Sequence, residues 1–315
     1  MTAPASRLTV IALLVVACLV PAAGCGGGKK KKKGGATIAQ RLERAKNEKT
    51  PDGQARELVK VARAQVAAGD TSGAASTLAE ARKRLPEAEA APEVWAPRLT
   101  EIADVYAEMK SPVGKETLAR AEELAGTIGD AVAKAKALAD IGAVYGAKTG
   151  GLGDATAAKR VLAAASETAG SVEERFRAQA LAAVATGFAG AGLAGEAGKI
   201  IEELETSARA LTEPRPKAEA LAAAARVRAA ADPAAAEALF TEATAAAKSI
   251  EGNENRVYGL LAVAAALGET GRAKDGLKLV ADAEKSAGKV GDPEAQKTAL
   301  EKVRALRTSL DKKAK

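Results

Sequence analysis

The residues best equipped for chemistry in this chain are carboxylates. Glu173 and Glu174 are adjacent, and Glu202, Glu203 and Glu205 crowd one short stretch. Two carboxyls held a few ångströms apart can share general acid and base work, as in glycoside hydrolysis. Acidic residues that alternate with Lys and Arg also mark a solvated helix face, and both clusters have that setting. Two glycine-rich stretches have the letters of phosphate cradles. GAGLAG (Gly190 to Gly195) has dinucleotide-turn spacing, and GAKTGGLG (Gly146 to Gly153) has the glycines of a phosphate loop without Gly-Lys-Thr after the right gap. A dinucleotide turn needs a strand before it and a helix N-terminus aimed at pyrophosphate. The residues ahead of Gly190 have helical period instead, so both stretches are expected to be turns. The 315 residues include no His, which removes Ser-His-Asp and Cys-His nucleophiles, an imidazole base and His-containing zinc or haem sites. Ser72 and Ser111 fall in predicted turns without a G-x-S-x-G elbow. The expectation is a protein that is not an enzyme and carries no metal or cofactor.

Cysteine is the other reactive group. Cys18 lies in the apolar run Leu8 to Val20, Cys25 ends VPAAGC, and no Cys follows. Arg7, the apolar run and the small residues before Cys25 stand in the order of a secretory signal. The run is shorter than the ~20 residues of a membrane span. VPAAGC resembles a bacterial lipobox, with Ala22 where that family prefers Leu. The resemblance implies that residues 1–24 are a removed signal peptide and that Cys25 becomes an N-terminus carrying acyl chains such as palmitate. It also implies an envelope location, with Gly26 in place of Asp favouring the outer membrane. Residues 25–36 then form a Gly/Lys-rich tether of roughly 15–20 Å. Lys29, Lys30, Lys31, Lys32 and Lys33 are placed to meet anionic head groups at about 1 kcal/mol each, or to act as a solvated spacer. The alternative is a reversed anchor with the body in the cytoplasm, because a lysine run after an apolar segment resists translocation.

That leader holds six of the seven net positive charges. The rest of the chain carries 41 basic against 40 acidic residues. A nucleic-acid-binding body concentrates basic residues and aromatics, so nucleic acid is not an expected partner.

About a quarter of the residues are Ala, the best helix former. Segments beginning at Leu58, Leu99, Leu138, Leu181, Leu221 and Leu260 align with one another at a period of about 40 residues, typical of helix-pair solenoids. In each, apolar positions recur at three- and four-residue spacing, break at a short turn such as Gly69-Asp70, Gly192, Asp232-Pro233 or Gly271-Arg272, and recur again. Breaks between copies are predicted at Pro86 to Pro97, Gly126 to Asp130, Glu213 to Pro216, Glu251 to Asn253 and Gly291 to Pro293. Leu138, Ile141, Gly142 and Tyr145 in the third copy, and Leu181, Phe188, Gly192 and Ala197 in the fourth, resemble the tetratricopeptide (TPR) family. That family's period is shorter, at about 34 residues. The resemblance implies an all-α fold, a right-handed α-solenoid of about six repeats over residues 55–292, with an N-terminal cap at 37–54 and a C-terminal cap helix at 293–315.

Tyr106, Tyr145 and Phe188 share one position in successive copies and are expected to pack between helices. Trp95 and Tyr258 lie elsewhere, near the starts of copies, and are the expected exposed partner contacts. The functional expectation is a lipid-anchored scaffold that binds an unidentified protein or peptide in the groove of its solenoid. A structural or self-assembling envelope spacer and an enzyme using groove carboxylates are the alternatives.

Overall fold

A computed structural model describes residues 36–84 and 91–315. The predicted signal, Cys25, Lys29 to Lys33 and the stretch from Pro86 to residue 90 lie outside the described residues. Helices hold 81 % of the described residues and no strand occurs among them. A short helix α1 (Ile38–Lys46) precedes six helix pairs, whose first helices are α2 (Pro51–Ala67), α4 (Pro92–Glu108), α6 (Ala131–Gly146), α8 (Glu174–Gly190), α10 (Pro214–Arg228) and α12 (Asn253–Glu269). Their partners are α3 (Thr71–Arg82), α5 (Val113–Thr127), α7 (Ala155–Gly170), α9 (Ala194–Ala210), α11 (Pro233–Ser249) and α13 (Ala273–Ala287), and α14 (Pro293–Lys313) closes the chain.

Every first helix begins seven residues before the repeated leucine, so the register read from sequence carries through the whole stack. The starts are set locally. Pro occupies the first turn of α2, α4, α10 and α14, where its missing N–H costs nothing. Thr50, Asp130 and Asp292 accept from the N–H of Gly53, Ala133 and Ala295 at 3.1, 2.7 and 2.7 Å. Four of the turns inside pairs also share one geometry. Gly69, Gly192 and Gly271 have φ of 81°, 76° and 80°, and Lys110 takes the same place at 56°. The next residue in each then donates to the carbonyl five back, as Asp70 does to Gln65 at 2.9 Å and Ser111 to Tyr106 at 2.9 Å, which satisfies the helix end.

A leucine from each helix of a pair fills the space between them. Leu58 and Leu78, Leu181 and Leu204, and Leu221 and Leu239 are all at most 1 % exposed. First helices pack on their partners and on neighbouring first helices, whereas second helices meet their partners and the following first helix. The first helices therefore form the inner, tightly spaced layer. Small residues allow that spacing. A methyl group on Gly187 of α8 would lie 2.6 Å from the Ala139 carbonyl oxygen of α6. The outer layer is spanned by long ion pairs, among them Arg82–Glu116, Arg160–Glu122 and Arg209–Glu242.

The edges of the stack differ from the sequence expectation. The N-terminal cap is α1 alone, because residues 51–54 already belong to α2. Pro97 does not end a linker; it lies inside α4, whose first residue is Pro92. Helix α14 packs on α12 and α13 in the place of a seventh first helix, with no partner of its own.

Candidate functional site

On the first helices, the third, sixth, tenth and thirteenth positions, buried Gly53 of α2 apart, are exposed or partly exposed and line the inner face. Their chemistry divides the molecule. From α2 to α6 they are largely charged, with Arg56, Lys60, Arg63, Glu101, Asp104, Lys136 and Asp140 among them, and Arg63 reaches Asp104 across the helices at 2.5 Å. From α8 to α12 the same positions hold mostly uncharged residues, including Gln179, Ala183, Thr186, Ala223 and Ala262.

In this second half an open cavity of about 910 Å³ runs across the N-terminal ends of α8, α10 and α12. Ala178, Ala220, Ala223, Ala262 and Ile250 give it an apolar lining. Phe176 stands at its edge with 46 % of its surface exposed, and the Arg175 guanidinium lies 4.5 Å from its ring centre. Arg215 donates to Glu219 and to Asn255, each at 3.0 Å, and sits 5.3 Å from the ring centre of Tyr258. Glu213 and Glu251 on the same lining have no ion pair among the described residues.

Tyr258 is half-buried and bridges helices, with the Lys302 ammonium of α14 at 4.6 Å from its ring. Trp95, expected at the surface, is instead buried at 3 % exposure and is not a surface contact. Its place, four residues before the repeated leucine, explains the burial. In six other helices that position holds a long donor that reaches back to a carbonyl ahead of its own helix: Gln54 to Glu48, Lys134 to Gly126, Arg177 to Val172, Lys217 to Arg209, Arg256 to Ile250 and Gln296 to Gly288. Position four before leucine is a seam between pairs, and in α4 the indole fills it. Tyr106, Tyr145 and Phe188 are 4 %, 4 % and 7 % exposed. The Tyr106 hydroxyl lies 3.4 Å from the Ala75 carbonyl oxygen of α3. Burial, with Glu122 of α5 beside it, pushes the Tyr145 phenol up to about 12. In the fifth pair Arg228 takes that position and donates to Glu205 of α9 at 2.7 Å.

The carboxylate clusters do not converge. Glu173 pairs with Arg175, whereas Glu205 is held by Arg228 and Arg209 on the outer layer. Among the described residues no group of three or more His, Cys, Asp or Glu is placed to hold a metal ion. GAGLAG spans the turn between two helices, and the Gly192 and Leu193 N–H groups donate to Ala189 and Phe188. In GAKTGGLG, Leu152, Gly153 and the following Asp154 donate to Val144, Ala147 and Tyr145, so these N–H groups are committed to closing α6. Ser72 lies in the first turn of α3, and Ser111 in the turn after α4.

One inner-face carboxyl is perturbed. Desolvation by the surrounding protein pushes the Asp140 carboxyl above its ordinary range; Lys136 opposes this and Glu101 adds to it. Sequence reasoning missed Phe176, although its signal was present. In the repeat alignment its position, five before the leucine, also holds Val94 (38 % exposed) and Pro216.

No family model and no curated protein matches the chain. Among solved structures it is similar to the crystal structure of Ton1535 from Thermococcus onnurineus NA1, at 12 % identity, over 83 % of this chain and 94 % of that one, with a TM-score of 0.38. No helix among the described residues is long and apolar enough to cross a membrane.

Proposed function

We propose that this chain is a lipid-anchored envelope protein of TPR-like repeats that binds another protein or peptide along the inner face of its first helices, without catalysis. The observation that carries this reading is the mostly uncharged half of that face, where an open cavity of about 910 Å³ exposes Phe176. A cavity with an apolar lining and a few polar groups around it is the usual form of a binding site. The lipobox-like VPAAGC supports attachment through Cys25, with Lys29 to Lys33 as a tether.

Two measurements test the two halves of the proposal. Mass spectrometry of the mature N-terminus is expected to find an acylated Cys25, and Cys25→Ala is expected to leave the membrane fraction. An intact Met1 or unchanged partition of the variant overturns the anchor. For the scaffold, a photo-crosslinking residue in place of Gln179 is expected to capture a protein in envelope preparations. Capture of lipid or nucleic acid alone overturns it.

A further inference from the structure

The cavity at α8, α10 and α12 has a charge pattern that specifies its occupant further. Five charged residues line it, and both cations are already engaged: Arg175 with Glu173 at 3.1 Å, and Arg215 with Glu219 at 3.0 Å. Glu213 and Glu251, both exposed, are left without a counter-charge. The alanine lining, Ile250 and the exposed ring of Phe176 belong to the same cavity. A partner that places apolar surface on this lining brings its own polar groups next to the two carboxylates, in a site partly screened from water where the charges act more strongly than in bulk. An acidic partner would meet uncompensated like charge. A cationic one supplies the missing partners, while its apolar portion meets the Phe176 ring, which already carries the Arg175 guanidinium over it.

Resting on the scaffold reading above, we infer that this cavity takes a peptide segment in which an apolar or aromatic side chain is followed within a few residues by Lys or Arg. The apolar residue settles against Phe176 and the alanines, while the basic residue pairs with Glu213 or Glu251. Charge complementarity thus sets both the specificity and the salt dependence of binding.

The test is selection of phage-displayed decapeptides on the full chain in detergent, followed by fluorescence anisotropy of the enriched peptides. Enrichment of Lys or Arg beside Phe, Leu, Ile or Trp is expected. The Glu213→Gln, Glu251→Gln double variant is expected to weaken these peptides about tenfold and to flatten their salt dependence. Phe176→Ala should weaken them at least tenfold at every salt concentration, and Gln179→Arg gives a second blocking variant on the same surface. These side chains are exposed, and unchanged thermal melting verifies that the variants fold. Enrichment of acidic peptides, or peptides indifferent to these variants, overturns the inference. If the Gln179 crosslinker still captures a protein in that case, the scaffold reading stands while this specificity falls. No enrichment and no capture overturn both.

Discussion

At the scale of single residues, the repeat is held by position more than by residue type. Four residues before each leucine, Gln, Lys and Arg all perform one task, reaching back to a carbonyl ahead of their own helix. Trp95 fills the same seam with bulk, and that is why a residue type common at binding surfaces lies in the core. Lys110 stands at a turn position where three other pairs have Gly, in a left-handed conformation that costs an ordinary residue about 1 kcal/mol. Asp140 bears a different cost. Its raised pKa means that folding disfavours the charged carboxylate, so its contribution is most favourable below the unfolded value and is lost as pH rises through the shifted one. Asp140→Asn is therefore expected to raise the melting temperature at pH 7 and to lose that advantage on acidification, as read by circular dichroism at both pH values. A variant less stable than the parent at pH 7 would refute this.

Between elements, the governing distance is that between adjacent first helices. Where α6 and α8 meet, Gly187 has the Ala139 carbonyl oxygen at 2.6 Å and the Leu162 Cδ2 at 2.8 Å from any added methyl, with no room for repacking against backbone. Gly187→Ala is expected to cost about 1–3 kcal/mol by overpacking. Gly198 on α9 has nothing within 4 Å of such a methyl. Gly198→Ala should instead gain roughly 0.5–1 kcal/mol from helix propensity alone. Urea denaturation of the two variants gives opposite signs if the inner layer is as close as described. The outer layer follows another rule, since its ion pairs are largely solvent-exposed. The Arg160–Glu122 pair has side chains 62 % and 22 % exposed, and a double-mutant cycle on it should return no more than about 1 kcal/mol.

Across the whole molecule, stacking on neighbours makes stability an approximate sum of nearest-neighbour terms. Leu310 of α14, 1 % exposed, fills the space left by Gly268 on α12 and Gly276 on α13. Leu310→Ala is expected to cost about 2–5 kcal/mol and to speed hydrogen exchange in α12 and α13 while leaving α2 to α5 unchanged. Uniform acceleration along the chain would contradict neighbour-limited coupling. Helix content, the period of about 40 residues and most breaks between copies were legible in the sequence, because Pro, Asp and Gly act through local backbone geometry, although the predicted break before α4 is too long and none is predicted before α8. The close packing of Tyr106, Tyr145 and Phe188 was legible for the same reason, through their common place in the repeat. The inner face was not legible in the same way. Its exposed stripe is drawn from about four residues on each of six helices spaced about 40 residues apart, and which of them remain uncovered depends on how neighbouring helices meet. Only the stacked structure could therefore bury Trp95, expose Phe176, and bring the unpaired carboxylates Glu213 and Glu251 to the lining of one cavity.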